Sequence, residues 1–152
     1  MLDGLGELLW IERTLAFEVL PAALEQIADA ELKDALASHL EETRAHAARV
    51  EEAFRRVEAE PAAARSGALA GLQASHQAQR VTEEALRDLL GATAAVRVEH
   101  LELGLYDPLR ELARALGHDA CAALLAENRK EEEKALARLG RIAERLRAEL
   151  PR

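Results

Sequence analysis

The chain has 152 residues, of which 49% are apolar and 32% charged, and a net charge of −8. That length supports one domain, spanning residues 1–152, with a substantial core. The acidic balance excludes general nucleic-acid binding, which needs a cationic surface to neutralise phosphates, and the lone Cys121 excludes an intrachain disulfide or a thiolate zinc site.

Leu, Ala, Glu and Arg dominate, all strong helix formers, so the fold class is all-α. The first predicted helix spans residues 3–28. Leu5, Leu8, Leu9, Leu15, Ala16, Val19, Leu20 and Ala23 recur at helical spacing, and Glu12 falls inside their stripe. Pro21 removes one backbone donor, which predicts a local kink. Trp10 and Phe17 share a face away from Glu12 and predict a subunit contact in a homodimer. The alternative is packing beneath a crossover connection.

Asp29 is a candidate N-cap for a second helix over 30–57, which a short connection makes antiparallel to the first. This helix carries His39-Leu40-Glu41-Glu42-Thr43-Arg44-Ala45-His46. His39, Glu42 and His46 share one side, beside the apolar stripe Leu32, Leu36, Leu40, Ala47 and Val50. An unpaired buried charge is costly, so these groups need a partner.

Glu58-Ala59-Glu60-Pro61 ends the helix and opens a long crossover. Ala68, Leu69 and Leu72 predict a short helix within it, running through His76 to Arg80. Thr82 is the candidate N-cap of a third helix over 83–116, with the stripe Leu86, Leu89, Leu90, Val96, Leu103, Tyr106, Leu109 and Leu112. Glu99 lies on that stripe and Glu102 follows three residues on. Pro108 predicts a bend, and Gly117 a stop.

In the fourth helix, 119–150, Leu125, Glu132, Leu139 and Leu146 fall at sevens, so Glu132 occupies core register. Cys121 reads as a small core residue. The helices form a loose pseudo-repeat, two hairpins with acidic residues at mid-helix. No apolar run approaches the ~20 residues of a membrane span. Early Asp3 and Glu7 argue against a signal peptide, so the expected location is the cytoplasm, with no membrane or nucleic-acid partner.

Antiparallel packing brings the helix midpoints to one level, so Glu12, Glu42, Glu99, Glu102 and Glu132 converge. Burying even one uncompensated ion costs several kcal/mol. Two metal ions would offset the repulsion, and oxygen and imidazole donors suit iron or manganese. Glu41 and Glu131, taken singly, fit a solvated face. Salt bridges to Arg13, Arg44, Arg97 or Arg129 are the alternative to metal.

The run His39-Leu-Glu-Glu-Thr43, the segment Glu99-His100-Leu-Glu102 with Tyr106, the stretch from Leu124-Leu125 to Glu131-Glu132-Glu133, and Leu8-Leu9-Trp10-Ile11-Glu12-Arg13 through Leu20-Pro21 resemble the YciE/YciF-type ferritin-like proteins. The resemblance covers about Leu5 to Leu139. It implies a ferritin-like antiparallel four-helix bundle with a long crossover containing a short helix. It further implies a rubrerythrin-like dimetal site in a bacterial stress-associated protein. The ligands it implies are Glu12, Glu42, Glu99, Glu102 and Glu132, with His39 as nitrogen donor. His39 and His46 compete for that nitrogen position. The general ferritin-like pattern has Glu-x-x-His on two helices; here Ala45 follows Glu42 at i+3 and Ala135 follows Glu132.

The resulting expectation is a protein binding two Fe or Mn ions with a redox or metal-handling role, such as oxidising ferrous ion or consuming peroxide or oxygen. The alternative is a metal-free bundle acting as a structural or interaction module.

Overall fold

The computed structural model describes residues 1–77 and 81–150, all helix or connection. Helix α1 (Leu2–Thr14) continues through a π turn (Leu15–Val19) into α2 (Leu20–Gln26); α3 (Ala30–Arg56), α4 (Gly67–Gln77), α5 (Glu84–Ala115) and α6 (Asp119–Glu149) follow.

Pro21 is accommodated by widening the helix. The Leu20 amide donates to the Leu15 carbonyl, five residues back, and Pro21 enters the first turn of α2. A proline ring crowds the carbonyl four residues before it. Here that is Phe17, inside the π turn, where the looser winding gives room.

Asp29 does cap α3, its Oδ1 accepting from the Leu32 amide at 2.8 Å. Asp88 of α5 accepts from the amides of Ala28 and Asp29, the latter at 2.7 Å. The α2–α3 corner is thereby tied to α5. Thr82 is not the N-cap of α5: that position falls to Glu83, which makes no side-chain cap hydrogen bond. Gly117, at φ 78°, closes α5 in the left-handed conformation that glycine tolerates best.

The crossover lies across α1. The Ala64 amide donates to the Gly6 carbonyl at 2.8 Å, and a Cβ at Gly6 would stand 2.7 Å from the Ala62 carbonyl oxygen. Ser66 Oγ donates to Glu7 and accepts from the Leu69 amide, starting the predicted short helix, described over Gly67–Gln77. Its expected continuation through residues 78–80 lies outside the described residues.

Cross-helix pairs give the topology. Asp29 and Arg145, Asp34 and Arg138, and Arg49 and Glu127 pair along α3 and α6. Numbering rises on one helix as it falls on the other, so the two are antiparallel. Asp107 pairs with Arg129 between α5 and α6, and Tyr106 reaches Glu12 between α5 and α1. The ring runs α1, α3, α6, α5.

The core is in two parts. One contains Ile11, Leu15, Leu32, Leu36, Leu139 and Ile142; the other contains Leu5, Leu8, Val50, Phe54, Leu109 and Leu125. Glu12, His39, His46, Glu99, Glu102 and Glu132 lie about where these halves meet, whereas buried Asp88 stands apart at the α2–α3 corner. Full burial of the apolar side chains contributes about 1.5–3 kcal/mol each, which holds the polar layer in place from above and below.

Candidate metal centre

Leu125, Glu132, Leu139 and Leu146 are all buried, so Glu132 does sit in the core register of α6. Glu12 of α1, Glu99 and Glu102 of α5, and His39 and His46 of α3 surround it, none more than 3% exposed.

Two overlapping donor groups result. His39, Glu99, Glu102 and Glu132 form one; Glu12, His46 and Glu132 form the other. Within each group one ligand atom per residue lies within 4.8 Å of the rest. Glu132 belongs to both. Its Oε1 is 2.6 Å from His46 Nδ1, and its Oε2 is 3.8 Å from His39 Nε2. Nε2 of His39 is 3.0 Å from Glu99 Oε1.

These short separations are not hydrogen bonds. Ten buried side-chain nitrogen or oxygen atoms among the described residues lack a hydrogen-bond partner, and nine belong to these six residues. Glu102 has both oxygens orphaned at 0% exposure. Proteins leave few such groups, because each costs about 1–3 kcal/mol, more when charged. Donor atoms that crowd together without aligning on one another leave their lone pairs free to share a bound cation. The buried oxygen and imidazole donors are therefore chemically suited to a metal pair.

The electrostatics agree. Burial pushes the Glu102 carboxyl well above its ordinary range, with Glu132 and Glu12 adding repulsion. Burial raises Glu12 against the pull of His46, and lifts Glu132 to about 7. Burial disfavours charge on His46, but the Glu12 and Glu132 carboxylates outweigh it and raise the imidazole to about 10. Burial also opposes charge on His39, where Glu42 and Glu99 raise the pKa well above the usual value. Cations would replace the protons retained in this layer.

A second set of groups holds the donors. Tyr106 donates to Glu12 Oε1. Asn128 Nδ2 donates to Tyr106 Oη at 2.9 Å and to the His46 carbonyl at 3.2 Å. Arg49 donates to Asn128 Oδ1 and to Glu131. Thr43 Oγ1 donates to the His39 carbonyl within α3.

Of the six residues singled out in the sequence, five come together and Glu42 does not join them. Its side chain is 44% exposed, with Oε2 3.6 Å from His39 Nδ1. The helix geometry explains this. At about 100° per residue, His46 returns to within about 20° of His39, whereas Glu42 lies about 60° away toward the rim. The histidines do not compete for one position; each faces its own carboxylate group. Glu131 is not simply solvated: its Oε2 is 2.9 Å from His46 Nε2. Asn128 precedes Glu132 by one helical turn on the buried face, but a neutral side chain there carries no charge signal in the sequence. Among the described residues, no arginine neutralises the centre. Arg13 pairs with Glu51, Arg44 with Glu41, and Arg129 with Asp107 and Glu133, while Arg97 makes no ion pair. Trp10 is packed against the core, and Phe17 is 68% exposed.

A family model described as "Domain of unknown function (DUF892)" matches residues 1–150. Among solved structures, YcfI from Rhodopseudomonas palustris is similar at 30% identity and a TM-score of 0.86, covering 91% of this chain and 89% of that one. The E. coli stress protein YciF matches at 24% identity and a TM-score of 0.90, covering 98% and 95%. A protein from Xanthomonas campestris pv. campestris matches at 23% identity and a TM-score of 0.78, covering 97% and 91%. The last two likenesses concern the fold. No curated protein matches the chain. Among the described residues, no helix is long and apolar enough to cross a membrane.

Proposed function

The chain belongs to the YciF-type ferritin-like family matched by the DUF892 model, and from that premise we propose that it is a dinuclear metal-binding protein holding two iron or manganese ions. The observation that carries this is Glu102, a fully buried carboxylate with no hydrogen-bond partner on either oxygen. Four buried carboxylates, Glu12, Glu99, Glu102 and Glu132, balance the charge of two divalent cations.

Glu132 would bridge, since it alone belongs to both groups. His46 would bind through Nδ1 while Glu131 holds its Nε2, an outer partner that fixes the ring. His39 would bind through Nε2, with Glu42 at the rim beside its Nδ1. Tyr106 fixes one oxygen of Glu12 and leaves the other directed inward. Bound iron or manganese would supply one-electron redox chemistry, suited to oxidising ferrous ion or consuming peroxide or oxygen. We place this metal-handling or redox role in a stress response, in keeping with the E. coli protein YciF, which shares the fold and is described as a stress protein. A homodimer through the face that carries Trp10 and Phe17, in the cytoplasm, completes the proposal.

Metal analysis of protein purified without chelator tests it. We expect close to two ions per chain after anaerobic loading. Less than a few tenths of an ion overturns it.

Exposed Phe17 favours a second reading, a metal-free bundle acting as an interaction module. A Glu99→Ala, Glu132→Ala double variant separates the two. Under the second reading it gains stability and keeps its biological activity. Under the first it loses metal-dependent thermal stabilisation.

A further inference from the structure

A cavity of about 670 Å³ lies between α2, α4 and the first half of α5 and extends to the metal layer at His39 and Glu99. It is a cleft open to solvent along Glu18, Ala22, Gln26, His76 and Gln77, all exposed, and not an interior void. It is within the size range of small-molecule sites. The sequence produces it by placing small side chains along one face of α5. Gly91, Ala94 and Ala95 occupy the middle of that face, opposite Ala22 and Ala23. The nearest atom to a Cβ at Gly91 is Ile27 Cδ1, 4.0 Å away. Asp88 anchors this part of α5 to the α2–α3 corner, so the face cannot readily close onto α2.

The two ends of the cavity differ. At one end are His39 and Glu99, members of the group that also holds Glu102 and Glu132. At the other is Arg87. It stands twelve residues before Glu99 in the sequence, about 18 Å along the helix at ~1.5 Å per residue. The Arg87 side chain is 38% exposed, but its Nε is buried without a hydrogen-bond partner, the only such atom outside the metal layer among the described residues. Its one ion pair is a loose contact with exposed Glu84 at 3.9 Å. Among the described residues, and apart from the His39–Glu99 pair, the ionisable groups on the lining are Arg87, Arg97, His76 and Glu18, one acid against two arginines and a histidine. Between the ends the wall is apolar, with Ile27, Leu36, Leu69 and Leu90.

We propose that this cavity binds an elongated apolar molecule with an anionic head, a medium-chain carboxylate in the simplest case, its head on Arg87 and its chain running along α5 toward His39 and Glu99. The metal groups are thereby asymmetric. Glu12 and His46 are sealed in the bundle, whereas the His39–Glu99 side opens onto the ligand chamber. The inference goes beyond the metal reading, because the apolar wall and Arg87 are present whether or not ions are bound.

The test is displacement of a fluorescent fatty-acid analogue by decanoate from the chelator-treated full chain. We expect saturable binding of one decanoate per chain. Decanol, with the same chain and no charge, should bind about tenfold more weakly, the worth of one charge-assisted hydrogen bond. Arg87→Gln should abolish that preference while leaving decanol binding unchanged. Ala94→Phe should fill the cavity and remove both, with the helical circular dichroism retained. Absence of saturable binding overturns the proposal, as does binding that is indifferent to both variants. So does finding the cavity covered by a second copy of the chain, seen as probe binding that appears only when the dimer is dissociated. Because metal is absent throughout, failure here leaves the metal reading standing, and failure of metal loading leaves this one standing.

Discussion

Glu131 and Glu132, consecutive on α6, contact opposite nitrogens of one imidazole: Glu131 Oε2 lies 2.9 Å from His46 Nε2, and Glu132 Oε1 lies 2.6 Å from His46 Nδ1. One helix thus supplies both the shared inner carboxylate and the outer group that orients a histidine of α3. Arg49 in turn fixes Glu131 at 2.8 Å.

Replacing Glu131 by Gln should therefore weaken metal binding without removing a donor. Outer partners of this kind are worth about 10–100-fold in affinity. Competition against a chelator of known affinity reads the change. An unchanged affinity would place Glu131 outside the centre's support.

The metal-free protein should become less stable as pH rises from about 5 to 10. Glu132, His46 and Glu102 all shift upward. Glu132 is raised to about 7 by burial, His46 to about 10 by its carboxylate neighbours, and Glu102 is also raised by burial. The folded state binds these protons more tightly than the unfolded chain. The Glu132 contribution is present below its unfolded value near 4.5 and lost by about pH 7; that of His46 is present below 6.5 and lost toward 10. Thermal melts of chelated protein should fall steadily across this range, at about 2–4 °C per kcal/mol for a chain this size. Metal-loaded protein should fall far less. A melting temperature that rises with pH in the chelated protein would contradict the assignment.

Glu102→Leu should stabilise the metal-free protein, since it removes a buried carboxyl with no hydrogen-bond partner, an orphan that costs about 1–3 kcal/mol. The same variant should lose much of the thermal shift that metal gives the parent. Stabilisation without loss of the metal effect would remove Glu102 from the ligand set.

Much of this layer was legible in the sequence. Glu132 stands in a heptad of leucines, and Glu12 and Glu99 interrupt apolar stripes; each is a local violation of the 3.6-residue pattern. Glu42 misled because i+3 spacing puts it beside His39 without saying which side of the stripe faces inward. Burial of Thr43, with Ala47 and Val50, turns that side away from Glu42. Glu131 and Asn128 were obscure for a different reason. Their significance lies in partners on α3 and α5, fixed by the register between helices, which single-helix periodicity does not contain. The π turn at Leu15–Val19 was likewise hidden: Pro21 announces a perturbation, but not that it takes the form of a widened turn.

Tyr106→Phe should cost about 1–3 kcal/mol, because it leaves a buried Glu12 oxygen and the Asn128 amide each short of a hydrogen bond. Denaturant unfolding of the chelated variant measures this. A neutral substitution would show that the hydroxyl is not part of the support.

Phe17→Asp should shift a dimer toward monomer, since Phe17 is a large apolar side chain left 68% exposed. Sedimentation velocity reads the change. An unaltered sedimentation coefficient would move the interface to another face.

The most direct measurement of the central claim is anomalous diffraction from crystals of metal-loaded protein at the iron and manganese edges. Two peaks about 3.5–4 Å apart are expected, one among His39, Glu99, Glu102 and Glu132 and one among Glu12, His46 and Glu132. Loaded crystals without anomalous density between these helices would contradict it.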